Sequence, residues 1–200
     1  KWTTRKVADR IEWIKMAQQR IKQKREQLHP RKVNLRALNE TWSIEHVSVG
    51  QVTNRLMING DYSLKVLADP RDVFYSARKL QEWFHQKAKA SLIPWLISLA
   101  RDRRLIFNRA YVRNQVSRWG SCSEKRNISL NRNMLFIPKH LVEYVLHHEL
   151  THLNHLNHSR LFWSSFKRVL PHCLELRSEL RSLDNNIEPL WASRTIINQP

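Results

Sequence analysis

The stretch His148-Glu149-Leu150-Thr151-His152-Leu153-Asn154-His155-Leu156-Asn157-His158 decides how this chain is read. Its first five residues fit the pattern H-E-x-x-H. On an α-helix, residues four apart lie on one face, one turn above the other. His148 and His152 can therefore turn two imidazole nitrogens toward one ion. Glu149 projects beside them, where a carboxylate can take a proton from a metal-activated water. The stretch points to a zinc hydrolase site carried on a helix, and to a fold arranged around that helix.

A catalytic zinc takes three protein ligands and leaves one position open. Six of the ten histidines fall between His140 and His158. His158 is the first choice for the third ligand, since it follows Asn157, where the helix is expected to end, and a turn there can swing the ring back. Glu175 or Glu179 from the last helix is the rival, and His155 is a further alternative if the helix ends earlier. His147 faces another side and reads as a packed or hydrogen-bonded histidine, with His140 and His172 on the surface. H-E-x-x-H by itself also occurs on helices whose histidines are merely solvated. The third histidine just past a helix breaker is what sets this run apart.

Upstream of the helix, Pro138 marks its start. Leu105 to Val116 reads as a strand, Gly120 to Arg126 as a turn, and Asn127 to Asn131 as a returning strand. Downstream, Ser159 caps a helix running through Arg168, and Leu174 to Leu183 forms a last helix. The tail from Asn185 has no pattern. Earlier in the chain, Gln51 to Ile58 and Tyr62 to Leu67 flank Asn59-Gly60-Asp61, a strand, tight turn, strand signature in which Asn-Gly supplies positive φ. Asp69 is expected to cap the next helix, with Pro70 in its first turn and Asp72 near its positive end. Phe74, Ala77, Leu80, Phe84 and Ala88 form its buried stripe, and Pro94 should kink or break it before Arg101. A strand is expected around Trp42 to Val49. Residues 2 to 28 read as a basic amphipathic helix on Trp2, Val7, Ile11, Ile14 and Ile21, with Trp13 close by, ended by His29-Pro30.

The chain has 200 residues, 42% of them apolar and only three glycines, which suits one domain with a real core and excludes a low-complexity chain. Lys and Arg number 35 against 17 Asp and Glu, a net charge of +18. Residues 1 to 32 alone hold 11 basic and 3 acidic residues. Such a field attracts anions, whether nucleic acid, nucleotide phosphates or an anionic surface, without naming which. Read structurally, the same charge is a solvated helix face. The two cysteines, Cys122 and Cys173, form no C-x-x-C pair, which excludes a zinc ribbon and argues against a disulfide framework. The longest apolar stretch, Ser91 to Ala100, is too short to span a bilayer. A cytoplasmic protein without a membrane segment is the expectation.

Several runs together resemble a known family. They are R-W-G-S-C-S at Arg118 to Ser123, N-I-S-L-N at Asn127 to Asn131, Pro138, Y-V-L-H-H-E-L-T-H-L at Tyr144 to Leu153, and N-H-S-x-x-F-W at Asn157 to Trp163. This string is similar to the YgjP-like metallopeptidase family, zincin-like proteins near the WLM and SprT groups. The dense match covers about residues 109 to 164, and weaker similarity reaches back to the Trp13 region. The resemblance implies His148, His152 and His158 as metal ligands and Glu149 as the base. Two departures stand out: the family usually has a further β-hairpin upstream of the Trp13 helix, which these 200 residues do not include, and position 147, often apolar in relatives, is a histidine. Unlike many SprT-type proteins, the chain has no cysteine zinc ribbon.

The expectations are then these. The fold is α+β, a small antiparallel sheet packed on a zincin-like active-site helix with several further helices. It forms one domain over residues 1–200, with a basic helix at 1–30, a catalytic core at 105–170 and a tail at 185–200. The chain is a zinc-dependent metallopeptidase using a metal-activated water and Glu149, with one Zn2+ per chain that Ni2+ or Co2+ can replace. Arg118, Asn127 and Asn131 contact substrate, an extended peptide pairing along an edge strand near Asn127 to Asn131. Trp119 plugs the sheet onto the helix, Gly120 permits a bend, and Cys122 is a buried thiol. One alternative is a metal-dependent phosphoanhydride hydrolase of nucleoside triphosphates, favoured by the positive field and Arg118. Another is a non-catalytic basic module that binds nucleic acid through the basic surface and tryptophan stacking.

Overall fold

The computed structural model describes residues 2–48, 55–69, 72–183 and 187–194, and the side-chain surroundings of all of these except 2–8, 21, 25 and 73. The chain divides into two compact units, residues 1–32, 43–80 and 189–200 in the first and residues 33–42 and 81–188 in the second. Strands β1 (Lys32–Leu35) and β2 (Glu40–Ser48) and helix α2 (Val73–Asp102) pass from one to the other.

In the first unit, α1 (Trp2–Leu28) forms as the sequence leads one to expect and stops before His29-Pro30. Of its described apolar residues, Ile11, Trp13 and Ile14 are exposed, whereas Leu28 at its end is buried. Trp2, Val7 and Ile21 lie outside the described side chains. The second half of β2 pairs in parallel with β4 (Ser63–Ala68), Ser43 opposite Ser63. On its other side β4 pairs antiparallel with β3 (Arg55–Ile58). The hairpin is therefore present, although residues 51–54 and Val49 fall outside the described residues. Its positive φ values sit on Gly60 (71°) and Tyr62 (55°) and not on Asn59. Asn59 N–H donates to Ser63 O at 2.9 Å, which leaves a three-residue loop in place of a two-residue Asn-Gly turn. The cap of α2 also differs from expectation. The helix begins at Val73, so Asp72 and not Asp69 is its cap residue, and the Asp72 Oδ1 accepts from Tyr75 N–H at 2.9 Å. Pro70 lies outside the described residues. In the tail, Trp191 is almost fully buried within a short 3-10 turn, Leu190–Ala192, an anchor that no sequence pattern announced; Asn185 and residues 195–200 fall outside the description.

In the second unit, α2 continues unbroken past Pro94 to Asp102, where a kink or break before Arg101 was expected. A proline inside a helix costs about 3 kcal/mol. Here Ala88, Leu92, Leu96 and Ala100 are all essentially fully buried, so packing on both sides of the proline outweighs the lost hydrogen bond. Ala77, Leu80 and Phe84 begin the same stripe; Phe74 is only half-buried.

The second sheet holds β5 (Arg109–Arg113), β6 (Gly120–Cys122) and β7 (Asn127–Asn131), in the order β5-β7-β6. The expected strand from Leu105 to Val116 is thus shorter, and the first three residues of the expected turn are strand, leaving Ser123 to Arg126 to reverse the chain around Arg126 at φ 57°. The class is α+β, but this sheet is mixed: β6 runs antiparallel to β7, and β5 pairs with it in parallel, Arg109 opposite Asn127. The central β7 turns Ile128 and Leu130 into the core. Helix α3 (Lys139–His152) follows Pro138 as expected, then α4 (Arg160–Val169), capped by Ser159 Oγ, which accepts from Phe162 N–H, and α5 (Cys173–Ser182). No helix among the described residues is long and apolar enough to cross a membrane.

Asn131 closes β7 and is committed to holding the chain around it. Its amide nitrogen donates to Gln115 O at 2.9 Å and Arg118 O at 3.0 Å, and its Oδ1 accepts from Asn133 N–H at 3.0 Å. Only 4% of it is exposed. Asn131→Ala should lower unfolding free energy by on the order of 3 kcal/mol in a denaturant titration, because buried partners lose their bonds; a loss below about 0.5 kcal/mol contradicts this role.

Candidate metal centre and active site

Helix α3 presents His148, Glu149 and His152, and ends at His152, five residues before the expected stop at Asn157. The early end is held from outside. Arg103 donates to His147 O and Thr151 Oγ1, each at 3.1 Å, and Arg126 donates to Leu153 O at 3.1 Å. Two cations thus sit at the negative end of the helix dipole. The chain then loops back before Ser159 starts α4, and this return brings His158 over the first two histidines.

The His152 Nε2 and His158 Nε2 lie 3.1 and 3.0 Å from the His148 Nε2. A tetrahedral zinc with nitrogens at 2.0–2.1 Å sets its ligands about 3.3 Å apart, so the spacing suits a shared ion. His152 Nδ1 donates to His155 O at 2.8 Å, which fixes the tautomer and leaves the neutral ring's Nε2 as a bare lone pair. A single proton can satisfy only one of the two contacts at the His148 Nε2, and a cation relieves both. Burial lowers the pKa of all three rings, that of His148 to about 3, aided by the other two rings and Arg177. Neutral imidazole is the form that binds a metal. The donor set fits a divalent ion.

An apolar floor produces that burial. The Phe162 ring, fully buried, lies 4.9, 4.6 and 4.8 Å from the rings of His148, His152 and His158, with Phe166 and Tyr144 against His148. Trp163 stacks on His158 at 5.9 Å. Phe162 and Trp163 are the F-W of the N-H-S-x-x-F-W run, so the sequence displayed the floor without revealing its purpose.

The rivals for third ligand have other partners. Glu179 pairs with His140 at 2.7 Å, and the His155 Nε2 is 3.0 Å from Ser165 Oγ. Among the described residues, the cluster able to hold a metal is His148, His152 and His158, and Glu175 is not part of it. His147 is partly buried and turned out of the cluster, its pKa pushed down to about 4 by burial and by Arg103.

Glu149 is 5% exposed, and its Oε2 has no hydrogen-bond partner within the protein. Burial lifts its pKa to about 8 against the pull of Arg118; a cation beside it would bring this down again. Gly120 makes room for it. A Cβ at position 120 would stand 2.7 Å from the Cγ and Oε1 of Glu149. The glycine serves this approach, where a bend was expected. A cavity of about 210 Å³ opens on Glu149 and His148, lined also by Trp119, Tyr144, Arg177 and Arg181; the two arginines and Tyr144 were not picked out from the sequence. A larger cavity of about 430 Å³ is lined by Trp119, Leu180 and Arg181 as well.

Of the expected substrate contacts, Arg118 is exposed on this larger cavity and acts electrostatically on Glu149. Asn127 and Asn131 belong to β7, which is the central strand. Both its edges are taken, so the expected pairing of a peptide near Asn127 to Asn131 is not available; the sheet edge beside α3 is β6. Cys122 is half-buried, its thiol held protonated by burial and by Glu149 with a pKa of about 11, and both cysteines are free.

The YgjP-like metallopeptidase domain matches residues 3–183 of this chain. The chain belongs to the YgjP-like metallopeptidase family. No curated protein matches it. The YgjP-like match takes in both compact units, well beyond the 109 to 164 region where the sequence runs are densest. It makes the chain a metal-dependent, peptidase-like hydrolase.

Two outcomes are expected. The purified chain should carry about one metal ion, largely lost in His148→Ala and in His158→Ala, read by elemental analysis; full metal content in both variants removes the centre. Gly120→Ala should keep the metal but lose activity by on the order of a hundredfold, because Glu149 must shift; unchanged turnover refutes the fit between these two residues.

Proposed function

We propose that this chain is a zinc-dependent peptidase in which Glu149 serves as the proton-transferring base. The observation that carries the reading is a buried carboxyl with an unpartnered oxygen, beside three converging Nε2 atoms, in an accessible cavity. His148, His152 and His158 would hold the ion, which supplies a Lewis acid that acidifies water and polarises a carbonyl. His155 keeps His152 in the binding tautomer through its carbonyl. Glu149 accepts a proton from the attacking water and returns it to the departing amine nitrogen. A base whose affinity for the proton is raised by an apolar setting suits both halves of that transfer. Phe162 and Phe166 exclude water from the inner side of the rings, which strengthens every charge interaction in the cavity.

Among the described residues β6 has no strand on its outer side, so an extended peptide would pair there, its backbone running past Gly120 and next to Glu149. Arg118, at the start of this segment, then sits where a substrate side chain passes.

Glu149→Gln tests the assignment, since it keeps the shape of the side chain and removes its basicity. The variant should retain its metal and lose cleavage of an unfolded protein by about a thousandfold or more, followed by gel and mass spectrometry. Cleavage at the native rate rules out Glu149 as the base, and no cleavage by the native, metal-loaded protein across a proteome-derived peptide mixture rules out the peptidase reading.

A further inference from the structure

The cavity that opens on Glu149 and His148 is lined also by Arg177 and Arg181 of α5. Four residues apart on a helix, the two share one face. Neither has a hydrogen bond or an ion pair with an acid among the described residues, although α5 itself carries Glu175 and Glu179. Glu179 is spent on His140. Arg177 is only partly exposed, and its guanidinium lies over the Trp163 ring, 4.9 Å from the ring centre. Trp163 in turn stacks on His158. The arginine is thereby seated on an aromatic ring, while its N–H donors have no acidic partner among the described residues.

Charge makes this placement costly unless it has a use. Three neutral imidazoles would leave a divalent ion its full charge at the side of the cavity that His148 lines, and among the described residues Glu149 is the one acid that lines it. Two further cations beside that ion oppose its binding. An anionic group on the substrate removes the conflict, since it is attracted by both guanidiniums and by the ion.

We propose that Arg177 and Arg181 form an anion subsite that grips a carboxylate or phosphate group of the substrate next to the bond that is cleaved. The proposal rests on the reading of this centre as hydrolytic. Either oxyanion takes paired N–H···O bonds from a guanidinium. The carboxylate would belong to an acidic residue of a peptide, the phosphate to a nucleotide.

The test uses the full, zinc-loaded chain as native protein and as Arg177→Gln, Arg181→Gln and Arg177→Lys, each with its zinc content measured. The probes are two peptides differing only by Asp against Asn, and a nucleoside triphosphate. Binding is followed by tryptophan fluorescence, and hydrolysis by KM and kcat separately. The native chain should prefer the Asp peptide, or bind the triphosphate, by about tenfold or more over each Gln variant. Arg177→Lys should recover part of the loss. A collapsed Asp-over-Asn preference identifies a carboxylate, and a weakened triphosphate affinity identifies a phosphate. Equal affinities of the native protein and both Gln variants for all probes overturn the subsite, as does absence of binding to every probe by the native chain. If the native chain binds but cleaves no peptide, and the Gln variants lose that binding, the subsite stands and the peptidase reading falls.

Discussion

The His152 and His158 Nε2 atoms meet within 3.1 Å of the His148 Nε2, and much of the second unit is arranged so that they can. Two of the three rings come from successive turns of α3 and need only a regular helix. The third requires that helix to stop at His152, that the chain turn back at once, and that a flat apolar surface receive the ring. Arg103 and Arg126 hold the stop from one side, and Ser159 starts the next helix on the other. Phe162 then touches all three rings. Its effect is electrical as well as steric, because burial against it keeps the rings neutral and their lone pairs available.

Around that centre the protein separates two tasks that a sequence motif runs together. The histidines are fixed by α3 and α4, whereas Glu149 is fixed by the sheet, through the bare backbone of β6 at Gly120. Asn131 ties the end of β7 to the segment 115–118 that leads into β6. The position of the carboxyl thus depends on strand pairing, and the position of the three imidazoles on helix ends. Damage to the sheet can displace the carboxyl while leaving the three rings in place.

Much of this was legible in the residues. H-E-x-x-H followed by His158 identified the three rings that the fold brings together, because helical spacing is a local signal; the true helix end at His152, five residues before Asn157, is held by distant Arg103 and Arg126 and was not legible. Elements with strong punctuation were also readable, among them Pro138 before α3, Ser159 before α4 and the run Asn127–Asn131. What was not legible depends on partners distant in sequence. The order of β5, β7 and β6 leaves β7 without a free edge, and no periodicity in Asn127 to Asn131 announces a neighbour on either side. Pro94 looked like a break because its own cost is local, while Leu92 and Leu96, buried on both sides of it, draw their stabilisation from the tertiary fold. Gly120 read as a bend since the sequence does not say whose side chain will press on it. Arg177 and Arg181 resembled ordinary charges on a polar helix until α5 was placed against the cavity.

The edge strand β6 is only three residues long. A row of unpaired backbone groups invites another copy of the same chain as readily as it invites a peptide, and long, flat edges are where sheets propagate into aggregates. Three residues span roughly 10 Å, too little for two copies to zip together by main-chain bonds alone. The shortness of the strand therefore lets the molecule leave this edge without a strand neighbour among the described residues, beside Glu149, without becoming a template for its own polymerisation.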